Sequence, residues 1–277
     1  MALLHWLLYW MLPSLALAFA WIVVAGPRCA ALAVATAVIV PFGLVVDWPP
    51  WPWELWRSGR GGGPWLVWVF AAGGLVGAAQ DLRLVPRWLA PFVDGAALAG
   101  MPWLLLTNLR ASWGLATVWL HLAAAGVAIG AAWWALRSAL ANRPGALVPI
   151  VAAAVFGGDA LVLANGGNTL LWQAATVAGL ALLAGAGAAA LRRPFTFGPG
   201  LGLQLALMHG SLLLAGHHFG RLAVVPALLA VLAPVPMGLG LRIPVPRERS
   251  FANGSRTAAW LLLGAAMLGA AYWASRN

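Results

Sequence analysis

The stretch LVPIVAAAVFGGDALVLA, residues 147–164, has one charged side chain in eighteen positions. A helix that crosses the hydrocarbon of a bilayer needs about 20 mostly apolar residues, with a usable range of about 17–25. Residues 147–164 meet that requirement, and Asp159 is their single exception. Working outward gives nine more such runs, at roughly 3–25, 30–46, 65–80, 91–109, 113–136, 170–191, 200–218, 222–241 and 257–274. The connectors carry helix breakers: Gly26-Pro27, Trp48-Pro49-Pro50, Val85-Pro86, Arg143-Pro144-Gly145, Asn165-Gly166-Gly167-Asn168, Arg193-Pro194 and Pro244-Val245-Pro246. Proline cannot continue a helix from within, and Gly and Asn favour turns. The reading is an all-α, polytopic transmembrane helix bundle of about ten helices, with 1–277 forming one integral membrane domain. The run 65–80 is short and interrupted by Gly73, Gly74 and Gly77. A re-entrant segment there, giving nine helices, is the alternative.

Composition agrees. Of 277 residues, 63% are hydrophobic and 8% charged, and mean hydropathy is +0.89. An ordinary soluble domain is about 25% charged and about 45–50% apolar. A disordered chain, a secreted disulfide scaffold and a cytosolic enzyme are excluded. So is a β-barrel, since no segment alternates apolar and polar residues. The first run lacks a basic leader and exceeds the apolar length of a signal peptide, so it is expected to be a retained helix.

All sixteen basic residues are Arg. Without Lys there is no Schiff-base chemistry and no phosphate-binding loop lysine. The run Gly59-Arg60-Gly61-Gly62-Gly63-Pro64 is accordingly a loop and not a phosphate cradle. Cys29 is the single cysteine, so no internal disulfide or thiolate zinc site can form, and it reads as an apolar filler. The net charge of +10 is scattered over loops, with no basic stripe interleaved with aromatics. No nucleic-acid partner is expected; the partner is the lipid bilayer.

Arg bias sets orientation, because cytoplasmic loops carry the excess. In the ten-helix reading eleven Arg lie on one side and five on the other; in the nine-helix reading the counts are twelve and four. Both place the C-terminus outside and leave the side of the N-terminus open. Eighteen Trp suit an interfacial aromatic belt. The segment Asp47-Trp48-Pro49-Pro50-Trp51-Pro52-Trp53-Glu54-Leu55-Trp56 is denser than a belt requires, and reads as interface or as a substrate entrance. Residues 40–49 and 235–244 share a Val-Pro-x-Gly-Leu pattern. Such echoes occur in transporter repeats, although chance accounts for this one in a chain so rich in Val, Leu, Gly and Pro.

A charge at a helix centre costs roughly 2.5–3.5 kcal/mol on insertion scales, so each one needs a reason. Asp159 follows Gly157-Gly158, where a backbone or ligand can approach. It reads as a proton or cation carboxylate, a substrate anchor, or a protonated acid bonded to another helix. Asp94 lies in the first turn of its helix and reads first as a charge on the positive end of the dipole. In 200–218, Gln204, Ser211 and His218 fall within about 40° of one another at 100° per residue, with Met208 beside them. His209 lies on another face. The substrate or ion pathway is therefore drawn through Asp159, Gln204, His209, Ser211, His218, His121 and Asp94.

No catalytic set is legible, and no cofactor is expected. A haem or metal is the alternative, with His209, His217 and His218 as weak ligands. His209 and His217 are about 80° and two turns apart on one helix, so they cannot share an ion without another helix. Asn165 and Asn168 around Gly166-Gly167 read as a tight turn.

At Pro41-Phe42-Gly43-Leu44, Met101-Pro102-Trp103-Leu104-Leu105 and Arg193-Pro194-Phe195-Thr196-Phe197 the chain resembles the YndJ-like bacterial membrane proteins. It departs from them where their His-x-His cluster would stand, having Met208-His209-Gly210 and a later His217-His218. The resemblance implies a polytopic bacterial membrane protein, sometimes labelled a transporter. The Ala, Gly and Arg bias also suits a bacterium with a GC-rich genome. The functional expectation is a multi-pass protein of the bacterial cytoplasmic (inner) membrane that passes or binds a small molecule or lipid. A membrane-embedded enzyme or haem- or metal-binding assembly protein, and a structural subunit of a membrane complex, are the alternatives.

Overall fold

A computed structural model describes residues 11–46, 48–58, 63–110, 112–142, 145–191, 196–242 and 250–276. Among them every regular element is a helix. In chain order these are α1 (Leu12–Ala25), α2 (Ala30–Val46), α3 (Pro52–Ser58), α4 (Gly63–Asp81), α5 (Ala90–Leu105), α6 (Thr107–Arg110), α7 (Leu115–Asn142), α8 (Leu147–Asn165), α9 (Thr169–Leu191), α10 (Pro199–Phe219), α11 (Val224–Leu232), α12 (Pro234–Arg242) and α13 (Ser250–Ala274). Gly26, at φ 81°, ends α1 and returns its N–H to Ile22 O at 3.1 Å. A 3-10 turn over Pro27–Cys29 then leads into α2.

A helix occupies the described part of each expected run, but the count of about ten crossings is not supported. Among the described residues, five helical stretches are long and apolar enough to cross a membrane: Leu115–Ala141, Leu147–Asn165, Thr169–Leu191, Val224–Arg242 and Gly254–Ala274. The apolar helices Leu12–Ala25 and Pro27–Gly43 are shorter. The 16-residue α5 contains Pro102, which removes one backbone hydrogen bond, and the chain re-forms as α6 beyond Leu106. The run expected at 222–241 is two helices, α11 and α12. Neither Pro234 nor Pro236 can donate an N–H to the preceding turn. Ala233 closes α11 instead, donating to Ala230 O at 3.1 Å.

The helix α4 runs unbroken through the glycines that suggested a re-entrant segment. Their lack of a side chain admits neighbours. A Cβ on Gly73 would strike Gln204 of α10, one on Gly74 would strike Ala35 of α2, and one on Gly77 would strike Gly200 of α10. Small residues thus let three helix backbones approach closely, the packing mode available where no hydrophobic effect separates helix from lipid.

The architecture centres on α10. It packs against α2, α4, α5, α7, α8, α9 and α11. Residues 200–213 of it are buried without interruption. A helix enclosed on all sides has no face for water or lipid, so its polar groups must find partners among the surrounding helices.

Candidate functional site

Seven polar or charged residues are buried among the described residues: Ser14, Asp81, Asp94, Asp159, Gln204, His209 and Ser211. Three belong to α10, and three more lie on helices that enclose it.

The central feature joins α8 to α10. His209 Nδ1 and Asp159 Oδ2 are 2.6 Å apart, and both residues have 0% exposure. On its other edge His209 Nε2 meets Val231 O of α11 at 3.2 Å. A carbonyl only accepts, so Nε2 carries a hydrogen. The Nδ1–Asp159 contact can hold a second proton, on the ring or on the carboxyl. Phe156 meets the imidazole edge-on, with ring centroids 6.1 Å apart. Asp159 Oδ1 has no hydrogen-bond partner among the described residues. The site is therefore a buried acid–base pair with one acceptor to spare.

The predicted stripe of Gln204, Ser211 and His218 does not face a single space. Gln204 turns to α4, donating from Nε2 to Phe70 O at 3.2 Å, while its Oε1 is unpartnered among the described residues. Ser211 donates to Met208 O of its own helix at 3.1 Å. His218 lies with Trp113 and His121 at the far end of α10. The residue that meets Asp159 is His209, the one outside the stripe.

The N-terminal end of α10 carries a second polar cluster. Asp94, expected to face the start of its own helix, instead accepts from Gln80 Nε2 at 2.6 Å and forms an ion pair with Arg137 Nη1. Arg137 also lies over the Trp133 ring, 5.2 Å from its centroid. Asp81 Oδ1 accepts from Gly200 N at 2.8 Å. A carboxylate there satisfies an orphan donor and complements the positive helix end. Asp81 lies just outside the predicted 65–80 span. Burial raises its pKa to about 6, against the lowering effect of the Gly200 and Leu201 N–H groups and of Arg137. None of Gln80, Asp81 and Arg137 stands out in the sequence as a candidate site residue. The available signal was their position: alternating helices bring 80–81, 94, 137 and 200 to one end of the bundle.

At the opposite end the rings of Trp113, His121, His217 and His218 gather. Centroid separations are 4.5 Å for Trp113–His121, 5.7 Å for His121–His218 and 4.5 Å for His217–His218. His217 and His218 meet edge to face. The three proposed ligands do not converge, because His209 is held by Asp159 and Val231. Among the described residues no group of three His, Cys, Asp or Glu side chains is arranged to hold a metal ion.

The Trp-rich segment folds back on α4. Trp51 stacks on Trp53 at 5.0 Å and on Trp68 at 5.4 Å, and Trp68 Nε1 donates to Pro50 O at 3.0 Å. Trp48, Trp51 and Trp53 stay more than half exposed, as interfacial anchors do. The Asn165–Asn168 segment is a turn, with Gly167 at φ 72°. Asn168 Oδ1 caps α9 at Leu171 N, and Asn165 Nδ2 donates to Ser275 Oγ at 2.9 Å.

Cys29 is a free thiol, partly buried. Compared with protein-family models, curated proteins and solved structures, the chain matches none.

Proposed function

We propose that this chain is a multi-pass protein of the bacterial inner membrane, transporter-like, that passes or binds a small molecule or lipid. Its intramembrane polar site is the Asp159–His209 pair. The observation that carries the reading is that pair. Two titratable side chains fifty positions apart meet at 2.6 Å in the enclosed core, and one carboxylate oxygen remains free to accept. Ionisable groups at membrane depth are costly and mark pathways or proton relays. A proton shared between a carboxyl and an imidazole can rest on either group without changing the total charge of the pair.

Polar groups recur along α10, although they face different helices, Gln204 meeting α4 and His209 meeting α8 and α11. Gly200 with Asp81, then Gln204, then His209, then His217 and His218 follow one another along the axis of one enclosed helix. At about 1.5 Å rise per residue they are roughly 6, 8 and 12 Å apart. The multi-pass reading draws support from the ends of the bundle. Asp81, Asp94 and Arg137 share one end, while Trp113, His121 and His218 share the other, as strict alternation of spans requires. Arg bias puts the Asp81 end in the cytoplasm and the C-terminus outside.

The test is proton movement in liposomes holding a pH-sensitive dye, under an imposed membrane potential. Wild-type protein is expected to change the internal pH faster than empty liposomes, and Asp159→Asn, reconstituted at equal amount, is expected to abolish the difference. A wild-type rate equal to that of empty liposomes, or an unchanged rate in the variant, overturns the role of the pair.

A further inference from the structure

A cavity of about 380 Å³ lies between α7, α10 and α11. Its wall is apolar over most of its length, with Leu120, Ala124, Ile129, Gly210, Leu228 and Val231 among the lining residues. His121, His217 and His218 also line it. Leu120, Ala124 and Leu228 are exposed on the outer face of the bundle, so in a membrane the surroundings of this cavity are lipid. We propose that it binds a single-chain amphiphile from the bilayer, with the tail along the apolar wall and an O–H head on the histidines.

The head chemistry follows from the tautomers. His121 Nδ1 lies 2.8 Å from Thr117 O, and His217 Nδ1 lies 2.8 Å from Leu222 O. A carbonyl can only accept, so in each ring Nδ1 carries the hydrogen. In the neutral ring Nε2 then holds the lone pair, and it accepts. Two acceptor nitrogens of this kind suit a hydroxyl or a protonated carboxyl, and a phosphodiester, which offers no hydrogen, does not match them. Trp113, 4.5 Å from His121 and 5.4 Å from His218, supplies an aromatic wall beside the head. The volume lies near the small end of the about 300–1,000 Å³ range of ligand pockets, which suits one chain and not two. Gly210 shapes the floor, because a Cβ there would strike Ile129. The inference rests on the membrane reading but not on the Asp159–His209 pair, and proton flux and amphiphile binding are measured independently.

The test is photo-crosslinking of the full chain in nanodiscs, with a long-chain carboxylic acid and a long-chain alcohol that each carry a diazirine in the tail. Adducts are expected on peptides spanning 120–129 and 210–231, and excess unlabelled acid or alcohol of the same length should displace them. Ala124→Trp, which fills the cavity from an exposed position, should reduce them about tenfold with the melting temperature unchanged. The methyl ester of the same acid should compete about tenfold more weakly, the loss expected for one hydrogen bond. In His121→Phe that preference should shrink, and His121→Gln, which keeps an acceptor, should restore it. Competition by the acid alone or the alcohol alone supports the site and identifies the source. Adducts spread evenly over outward residues such as Val127 and Leu161, and indifferent to Ala124→Trp, overturn it, as does equal competition by the ester.

Discussion

His209 shows what one side chain does to the value of another. Asp159 in an apolar core would be a prohibitive solitary charge; with the imidazole at 2.6 Å it becomes half of a hydrogen-bonded pair. Breaking a buried pair by removing one partner costs about 3–5 kcal/mol, because the other is left uncompensated. His209→Ala and Asp159→Ala should each destabilise by that order. The double variant should lose much less than their sum, since groups in one contact are not additive. Unfolding in detergent micelles measures all three, and strict additivity would show that the pair is not coupled. Asp81 provides a pH dependence of definite sign. Folded, it holds its proton to about pH 6, against an ordinary value of 3.8. Between those values the folded chain binds more protons than the unfolded one, so stability falls as pH rises across that window and the loss is complete above it. The melting temperature should therefore decline from pH 4 to pH 6 more steeply in wild type than in Asp81→Asn. Parallel curves would mean that Asp81 does not titrate with folding. Asp159 was legible in the sequence as a charge out of place. Its partner was not, because helical azimuth orders residues on one helix and is silent about which neighbour each face meets.

Helix α10 packs against seven other helices, and it meets α4 backbone to backbone at Gly77 and Gly200. A Cβ on Gly200 would strike the backbone carbonyl of Gly77, and backbone cannot step aside as a flexible side chain can. Gly200→Ala should therefore destabilise by about 1–3 kcal/mol, the usual cost of overpacking. Gly95 lies on the exposed face of α5, where an added Cβ meets nothing within 4 Å. Gly95→Ala should be neutral or gain up to about 1 kcal/mol from helix propensity. Thermal melts of the two variants in one detergent distinguish close approach from propensity, and equal effects would refute the crossing. The glycines of 65–80 were visible in the sequence, yet their meaning was inverted. Gly in a helix reads as a weak point when nothing is known of its neighbours. Here the neighbours are other backbones, and the glycines are what lets them approach.

Across the whole molecule, charge and aromatic placement set how the bundle sits in a bilayer. In the ten-helix reading eleven of the sixteen Arg lie on one side, that of Arg83 and Arg137. That end is expected in the cytoplasm. Cys29 is the single cysteine, so a Cys29→Ser background allows labelling one site at a time. Ser275→Cys should react with a membrane-impermeant maleimide added to intact cells. Leu84→Cys, at an exposed position, should react only after permeabilisation. The opposite pattern would reverse the orientation, and labelling of both from outside would remove the spans between them.

The sequence by itself determined the solvent, the helical class and the placement of helices between their breakers. Each follows from local quantities: apolar length, the missing N–H of proline and the scarcity of charge. Only the tertiary structure decided that His209 meets Asp159, that Asp94 pairs with Arg137, and that α10 is enclosed by seven other helices. Those outcomes depend on which faces of distant helices come together. Packing selects them, and the pattern along any one helix does not contain that information.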